Sequence, residues 1–422
     1  MKKQITVAIA GLGARGKDTY AIYQKLFPSE MKIVAVAEPK NEVLYSAAMD
    51  YNIPLSNCFS SAEEMFEKER LADAVFITTQ DRQHKAHTLM ALEKGYHILL
   101  EKPVASTVED CIEIRDKALA SNSIVIVCHV LRYTPFYRKI KELLDSGIIG
   151  DIVSIQASEW VGYWHQAHSF VRGNWNNSTR SSSMILQKCC HDMDILHWLI
   201  GKTCKSLSSY GSLMHFNDQN APKKSGSQCI VDCKCKKDCI YDAEKIYITN
   251  PLTGVLANGD SWPCNVVMQN PTKKGLLSEL KTSPYGKCVY KCDNNVVDHQ
   301  VISMEFEGGA TAVFTMTAFT EETNRQTKIL GTKGELCADM NQNSITVLTF
   351  GGKKTVFDVN KLSKNFSGHG GGDHVMLKEF LEAVSNPQSA SPETTLNESI
   401  NSHLMTFAAE ESRHKNGKNI AL

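Results

Sequence analysis

The sequence carries no excess of charge: 46 lysines and arginines offset 46 aspartates and glutamates, so no global field draws it to nucleic acid or an anionic membrane. It also lacks any apolar run of the roughly 18–20 residues needed to cross a bilayer. Met1-Lys2-Lys3-Gln4 and the apolar stretch after it come nearest to an export signal. Gly11, Gly13, Arg15 and Gly16 interrupt that stretch, which reads better as a strand and turn. Without an export signal the expected location is the cytoplasm, and the 14 cysteines are expected as thiols or metal ligands. What is present is 422 residues with 42% hydrophobic content, enough for two or three domains with filled cores.

Residues Ile5 to Ala10 form a β-branched, apolar run that ends at Gly11-Leu12-Gly13-Ala14-Arg15-Gly16, and a helical pattern follows from about Asp18. Strand, G-x-G-x-x-G and helix in that order is the dinucleotide fingerprint. The first glycine permits the tight turn, the second lets backbone approach a pyrophosphate, and the third allows helix and strand to pack closely. Free N–H groups at the helix start then suit the phosphates, and Arg15 is expected to add a charged contact. A second strand, Lys32 to Ala37, closes on Glu38 about twenty residues on. An acid there accepts from both ribose hydroxyls and repels a 2′-phosphate, which favours NAD over NADP, although Lys40 softens that preference. Further strands at Ala72–Thr79, Tyr96–Leu100 and Ile124–Cys128 alternate with helices, implying parallel βαβ units with ligands at the carboxyl ends of the strands. Thr78, Thr79, Lys102 and His129 fall at such ends.

These features resemble the Gfo/Idh/MocA family, the glucose–fructose oxidoreductase and inositol dehydrogenase group. Glu101-Lys102-Pro103 matches the family's own mark, and Thr79-Gln80-Asp81-Arg82-Gln83-His84 its threonine-to-histidine loop. Arg132-Tyr133-Thr134-Pro135 is similar to its R-[FY]-x-P stretch. The resemblance covers most of the chain, apart from an insertion expected at about 206–282. It implies an α/β Rossmann domain over 1–128. An α+β domain with an open, mostly antiparallel sheet is expected over 129–422, its bare face supporting a homodimer or homotetramer. The family's D-x-G-x-H-x-x-D helix aligns with Gln187 to Asp194: His191 and Asp194 are kept, while the first aspartate is Gln187 and the glycine is Cys189.

Positions 187, 191 and 194 share one face of a helix at i, i+4 and i+7. Oxidising an alcohol requires hydride departure and proton removal from oxygen, and a histidine is matched to that proton near neutral pH. The resemblance and the chemistry together make His191 the general base and Lys102 the group that stabilises developing oxyanion charge. The cofactor-facing set is then Gly11, Gly13, Ala14, Arg15, Gly16, Glu38, Thr78, Thr79, His84, Glu101 and Lys102, with Gln187 and Asp194 toward substrate. Glu159 to Trp175 holds three tryptophans, two histidines and an arginine, and aromatic platforms with polar rims suit sugars. His165, His168, Arg172 and Trp175 are the substrate-pocket expectations, the alternative being an aromatic face packed on the core or on another subunit. Cys229, Cys233, Cys235 and Cys239 lie close enough in sequence for a structural zinc site, with plain thiols or an iron–sulfur centre as the alternatives.

Three functions fit: an NAD-dependent sugar or polyol dehydrogenase, a glycosidase that recycles bound NAD through transient oxidation and elimination, and a non-catalytic cofactor-binding sensor. Retention of Lys102 and His191 argues against the third.

Overall fold

The computed structural model describes residues 4–363, 367–389 and 392–422. Two sheets organise the chain. The first contains β1 (Ile5–Ala10), β2 (Met31–Ala37), β3 (Cys58–Phe59), β4 (Ala74–Ile77), β5 (His97–Leu100) and β6 (Val125–Val127). Its order is β3-β2-β1-β4-β5-β6 and every pairing is parallel. β1 and β4 are apolar along their length because helices cover both faces of the sheet. The order reverses between β1 and β4, and a crevice opens at that switch point beyond the strands' carboxyl ends. Covering helices begin at side-chain caps: the hydroxyls of Ser61 and Thr107 accept backbone N–H groups of the first turns.

The second sheet contains β7 (Ile152–Trp160), β8 (Cys204–Ser212), β9 (His299–Phe306), β10 (Thr311–Thr317), β11 (Asn324–Gly331), β12 (Gly334–Asp339), β13 (Ser344–Thr349), β14 (Lys354–Asp358) and β15 (Ile420–Ala421). Its order is β14-β13-β12-β11-β7-β10-β9-β8-β15, antiparallel except for the parallel pair β7–β10. In β9 and β10 buried and exposed residues alternate, so one face meets the helices Pro135–Asp145 and Cys190–Ile200 in a shared core and the other is bare. The fold class is therefore a Rossmann α/β sheet joined to a mixed, mostly antiparallel α+β sheet.

Two late helices return to the first sheet. Gly372–Ser385 buries Met376, Leu377, Phe380 and Leu381 in its core. Leu396–His414 inserts Leu396 and Ile400 into the first sheet's other layer and Met405, Ala408 and Ala409 into the second sheet's core. The long excursion occupies 213–298 between β8 and β9, later than the expected 206–282. Ser206 to Ser212 complete β8, whose serine-rich outer face hides the strand pattern. At the other end Cys288, Val289 and Tyr290 belong to the excursion's own core, with Phe216, Tyr247 and Leu280. Among the described residues no helix is long and apolar enough to cross a membrane.

Phe380 is fully buried and meets Phe76 edge to face at 5.9 Å. Phe380→Ala should cost about 3–5 kcal/mol. A lowered thermal midpoint that is partly restored by NAD would check that the helix Gly372–Ser385 stabilises the cofactor domain rather than the second sheet.

Candidate active site

The glycine loop is shaped by three different constraints. Gly11 has φ of +95°, and a Cβ there would lie 2.7 Å from the Thr78 carbonyl oxygen. A Cβ on Gly16 would meet the Gly11 carbonyl oxygen at 2.0 Å, so helix and strand touch where that residue sits. At Gly13 nothing lies within 4 Å, leaving open backbone for a phosphate to approach. The Thr78 hydroxyl fixes the loop by donating to the carbonyls of Ala10 at 2.9 Å and Gly11 at 2.6 Å. Glu38 accepts from the N–H groups of Leu12 at 2.9 Å and Lys40 at 3.1 Å, which orients its carboxylate at the end of β2. These residues fit a dinucleotide. Ala14 opens the following helix, Ala14–Ala21, as expected.

Arg15 departs from expectation. Its Nε donates to Glu101 at 2.5 Å, and its Nη2 donates to Asp373 at 2.8 Å and to the Tyr20 hydroxyl at 2.5 Å. A guanidinium engaged this way is a bolt between segments beside the glycine loop. Glu101 likewise faces inward, accepting from Arg15, from the Tyr20 hydroxyl at 2.5 Å and from the Lys102 backbone N–H at 3.1 Å. Arg15 and Lys102 hold its carboxyl below the usual range against the opposing effect of burial. His84, also buried, bridges the Pro103 carbonyl at 2.6 Å and the Thr79 carbonyl at 3.1 Å, tying the turn after β5 to the end of β4. The Thr79 hydroxyl meets His87 at 2.9 Å.

That turn delivers Lys102, whose Nζ donates to the Gln187 backbone carbonyl at 2.6 Å. The helix pictured over 187–194 is broken at Lys188 and Cys189, into Met184–Gln187 and Cys190–Ile200, so Gln187 is carried on the preceding turn. His191 is 5% exposed and its Nδ1 has no hydrogen-bond partner. The rings of His129 and His369 lie 5.9 and 6.0 Å from it, centroid to centroid. Burial, together with the positive charge of Lys102 and other cations, holds its pKa well below the ordinary histidine value. A neutral imidazole with a free nitrogen beside an ammonium group can accept a proton at neutral pH.

Asp194 is not available to substrate. Arg132 grips it through two 2.7 Å bonds, both side chains almost wholly buried. His168 and Arg172 also point elsewhere. His168 bonds the Tyr247 hydroxyl at 2.9 Å, and Arg172 donates to the Lys287 and Tyr241 carbonyls, each at 2.7 Å. Both therefore anchor the excursion. Trp175 packs into the second sheet's core beside Phe170. His165, the fourth expected pocket residue, packs against Trp164, Phe170 and Trp262, and desolvation together with the charges of Lys188, His168, Arg325 and Lys102 depresses its pKa.

Cys229, Cys233, Cys235 and Cys239 do converge on one small cleft, joined by Cys288. Among the described residues, however, no three histidine, cysteine or acidic side chains are placed to hold a metal. The Arg172 guanidinium donates to Cys229 Sγ at 3.4 Å, so that sulfur already has a protein partner. The zinc expectation is withdrawn on that geometry.

Sequence reasoning missed a buried network beside the site. Glu159 meets Lys188 at 3.1 Å and Arg325 at 3.0 Å, and Arg325 also meets Asp192 at 2.8 Å. Its members are scattered over 166 positions of sequence with no shared motif, so only the acid at the second position after His191's neighbour Cys190 hinted at it.

Residues 5–129 match the family described as "Oxidoreductase family, NAD-binding Rossmann fold", and 141–422 match its C-terminal alpha/beta domain. YteT of Bacillus subtilis, named as an oxidoreductase, is 25% identical over 327 residues, 73% of this chain and 72% of that protein. An inositol 2-dehydrogenase/D-chiro-inositol 3-dehydrogenase of Lacticaseibacillus casei is 27% identical over 197 residues, covering 46% of this chain and 53% of its own. In fold, the chain is similar to an inositol dehydrogenase homolog of Azotobacter vinelandii complexed with NAD+ (TM-score 0.71, 15% identity, 100% and 98% coverage). It is equally similar to a levoglucosan dehydrogenase complexed with NADH and levoglucosan (TM-score 0.71, 16% identity, 99% of each chain).

Asp194→Asn would leave the Arg132 charge buried without its partner, at a cost of about 3–5 kcal/mol. Denaturant unfolding should show that loss, whereas a substrate-binding aspartate would give an intact fold with a raised KM. The matched domains, together with the glycine-loop geometry, make this chain an NAD-binding oxidoreductase of the Gfo/Idh/MocA family.

Proposed function

We propose that the protein is an NAD-dependent dehydrogenase that oxidises a hydroxyl of a sugar or polyol, with Lys102 and His191 as its catalytic residues. The observation that supports it most is that His191, buried with its Nδ1 unpartnered, opens the helix just after Gln187, whose backbone carbonyl accepts from Lys102. When bound, the nicotinamide accepts the hydride from the hydroxyl-bearing carbon. Lys102 donates a hydrogen bond to the substrate oxygen and stabilises its growing negative charge. His191 takes the hydroxyl proton on a ring nitrogen. Gln187 binds a neighbouring hydroxyl through its neutral amide, and His165 lines the same pocket. Glu38, held by two backbone N–H groups, favours NAD over NADP. The bare face of the second sheet, with Val153, Val301 and Val313 exposed, suits a second copy of the chain, and light scattering should give a mass of two or four subunits.

Absorbance of reduced nicotinamide, followed across a panel of sugars and polyols, tests the reading. A rise with one substrate class is expected. Release of an aryl group from a glycoside without net reduction would indicate the recycling glycosidase instead. Lys102→Ala should slow turnover by about 10²–10³-fold, and His191→Ala by about 10²–10⁴-fold.

The pH profile carries its own sign. The base must be neutral to accept a proton, and the pKa of His191 lies well below the ordinary value of about 6.5. kcat/KM should hold level from neutral pH down past that value and fall only at more acidic pH. Lys102→Gln removes a positive neighbour, so the acid limb of its residual activity should move upward. A wild-type limb at or above the ordinary histidine value would rule His191 out as the base.

A further inference from the structure

A proton taken up by His191 has to leave it again before the next turnover, and few groups around that ring can receive it. His191 is 5% exposed, so bulk water has little access to it. Asp194 is gripped by Arg132, and Gln187 is a neutral amide. Two imidazoles stand beside the base. His129, its ring centroid at 5.9 Å, is wholly buried, and neither of its nitrogens is hydrogen-bonded. His369, at 6.0 Å, has a side chain 41% exposed. Of the two, only His369 stands between the base and solvent.

The local chain fixes His369 there. Gly370 and Gly371 take φ of +63° and +88°, and a Cβ on Gly372 would lie 2.4 Å from the Val130 carbonyl oxygen, so the loop turns sharply against the segment after β6. The His369 backbone N–H donates to Asp373 at 3.2 Å, and Asp373 in turn accepts from Arg15 at 2.8 Å. The ring's Nδ1 lies 3.2 Å from the Arg15 guanidinium and 3.2 Å from the Asp373 carboxylate. One of these neighbours can only donate and the other, ionised, can only accept. Nδ1 therefore keeps a hydrogen bond in either state: bare, it accepts from Arg15, and protonated, it donates to Asp373. A ring flanked in this way changes protonation without stranding a polar atom. Partial desolvation and the Arg15 charge hold its pKa below the ordinary histidine value, against Asp373 and Glu101, so it passes a proton on rather than storing it.

We propose that His369 is the proton exit of the site: it receives on a ring nitrogen the hydroxyl proton first taken by His191 and releases it to solvent. The hydride leaves the substrate carbon with its electron pair for the nicotinamide. The proton passes from the substrate oxygen to His191, then to His369, then to water or buffer, and both rings end neutral. With 6.0 Å between centroids, rotation of either ring or one bridging water joins their nitrogens. The proposal rests on the sugar-dehydrogenase reading, and the experiment separates the two.

Full-length wild type, His369→Ala and His369→Asn are compared in weakly buffered solution, on the sugar or polyol that gives the wild-type absorbance rise. In both variants kcat should fall about tenfold or more, with KM and NAD affinity little changed. Imidazole added at constant ionic strength should restore most of the loss in His369→Ala and leave the wild type unaffected. The asparagine keeps a polar group beside Arg15 and Asp373 but carries no proton, so full activity in His369→Asn would reduce the residue to positioning and overturn the proposal. A loss in His369→Ala that imidazole leaves unchanged would overturn it too. A second readout needs no turnover: solvent exchange of the His191 ring N–H, followed by NMR on NAD-loaded protein carrying isotope-labelled histidine. That exchange should slow about tenfold in His369→Ala, and an unchanged or faster rate sinks the relay. Silence of nicotinamide absorbance with every substrate counts against the dehydrogenase reading, and the exchange rate then decides the relay.

Discussion

The site depends first on the contact between the half-buried Arg15 and the buried Glu101. Arg15 belongs to the glycine loop, Glu101 to the turn after β5, and Asp373, which also accepts from Arg15, to a helix near the chain's end. One guanidinium therefore sets the distance between the phosphate-binding loop and the residue next to Lys102. Two charges removed from water contribute little net stability, but an incompletely paired one is costly. Displacement of any of the three segments leaves a buried charge unmatched, so the contact enforces register more than it adds stability. His84 does the same from the other side of the turn by bridging Pro103 and Thr79.

A second pair, Arg132 and Asp194, performs the equivalent task between the segment after β6 and the helix that carries His191. Arg132 follows β6 of the cofactor sheet and Asp194 lies on the helix that carries His191, three residues away. The helix carrying His191 is consequently tied to the segment that leaves β6 through a bidentate bond with little angular freedom. The lysine and the histidine thus reach one place by separate ionic anchors.

Much of this was legible in the sequence. β1 was read over Ile5–Ala10, as found, because a β-branched apolar run is a local signal. Lys102 and His191 were singled out through short motifs that carry chemistry. The errors share one cause. Arg15, Asp194, Arg172 and His168 are polar residues in or near a recognisable motif, and their partners lie dozens to hundreds of positions away. Residue type can announce a hydrogen-bond donor but not the acceptor that folding brings to it. β8 was hidden differently: only Cys204, Leu207 and Ser209 of that strand are buried, so a strand that is half serine gave too weak an alternation to register.

The strands flanking the excursion have a consequence for how such a protein can change. β8 and β9 are direct antiparallel neighbours, so residues 213–298, for all their size, are topologically the loop of a hairpin. Closing a longer loop costs only about 0.6 kcal/mol per doubling of its length. The ladder on either side keeps its pairing whatever is spliced between its ends. The catalytic pair and the cofactor cradle lie outside that segment. A lineage could therefore exchange the whole module for a tight turn, or for another of different shape, and alter what is recognised while the hydride-transfer machinery is inherited intact.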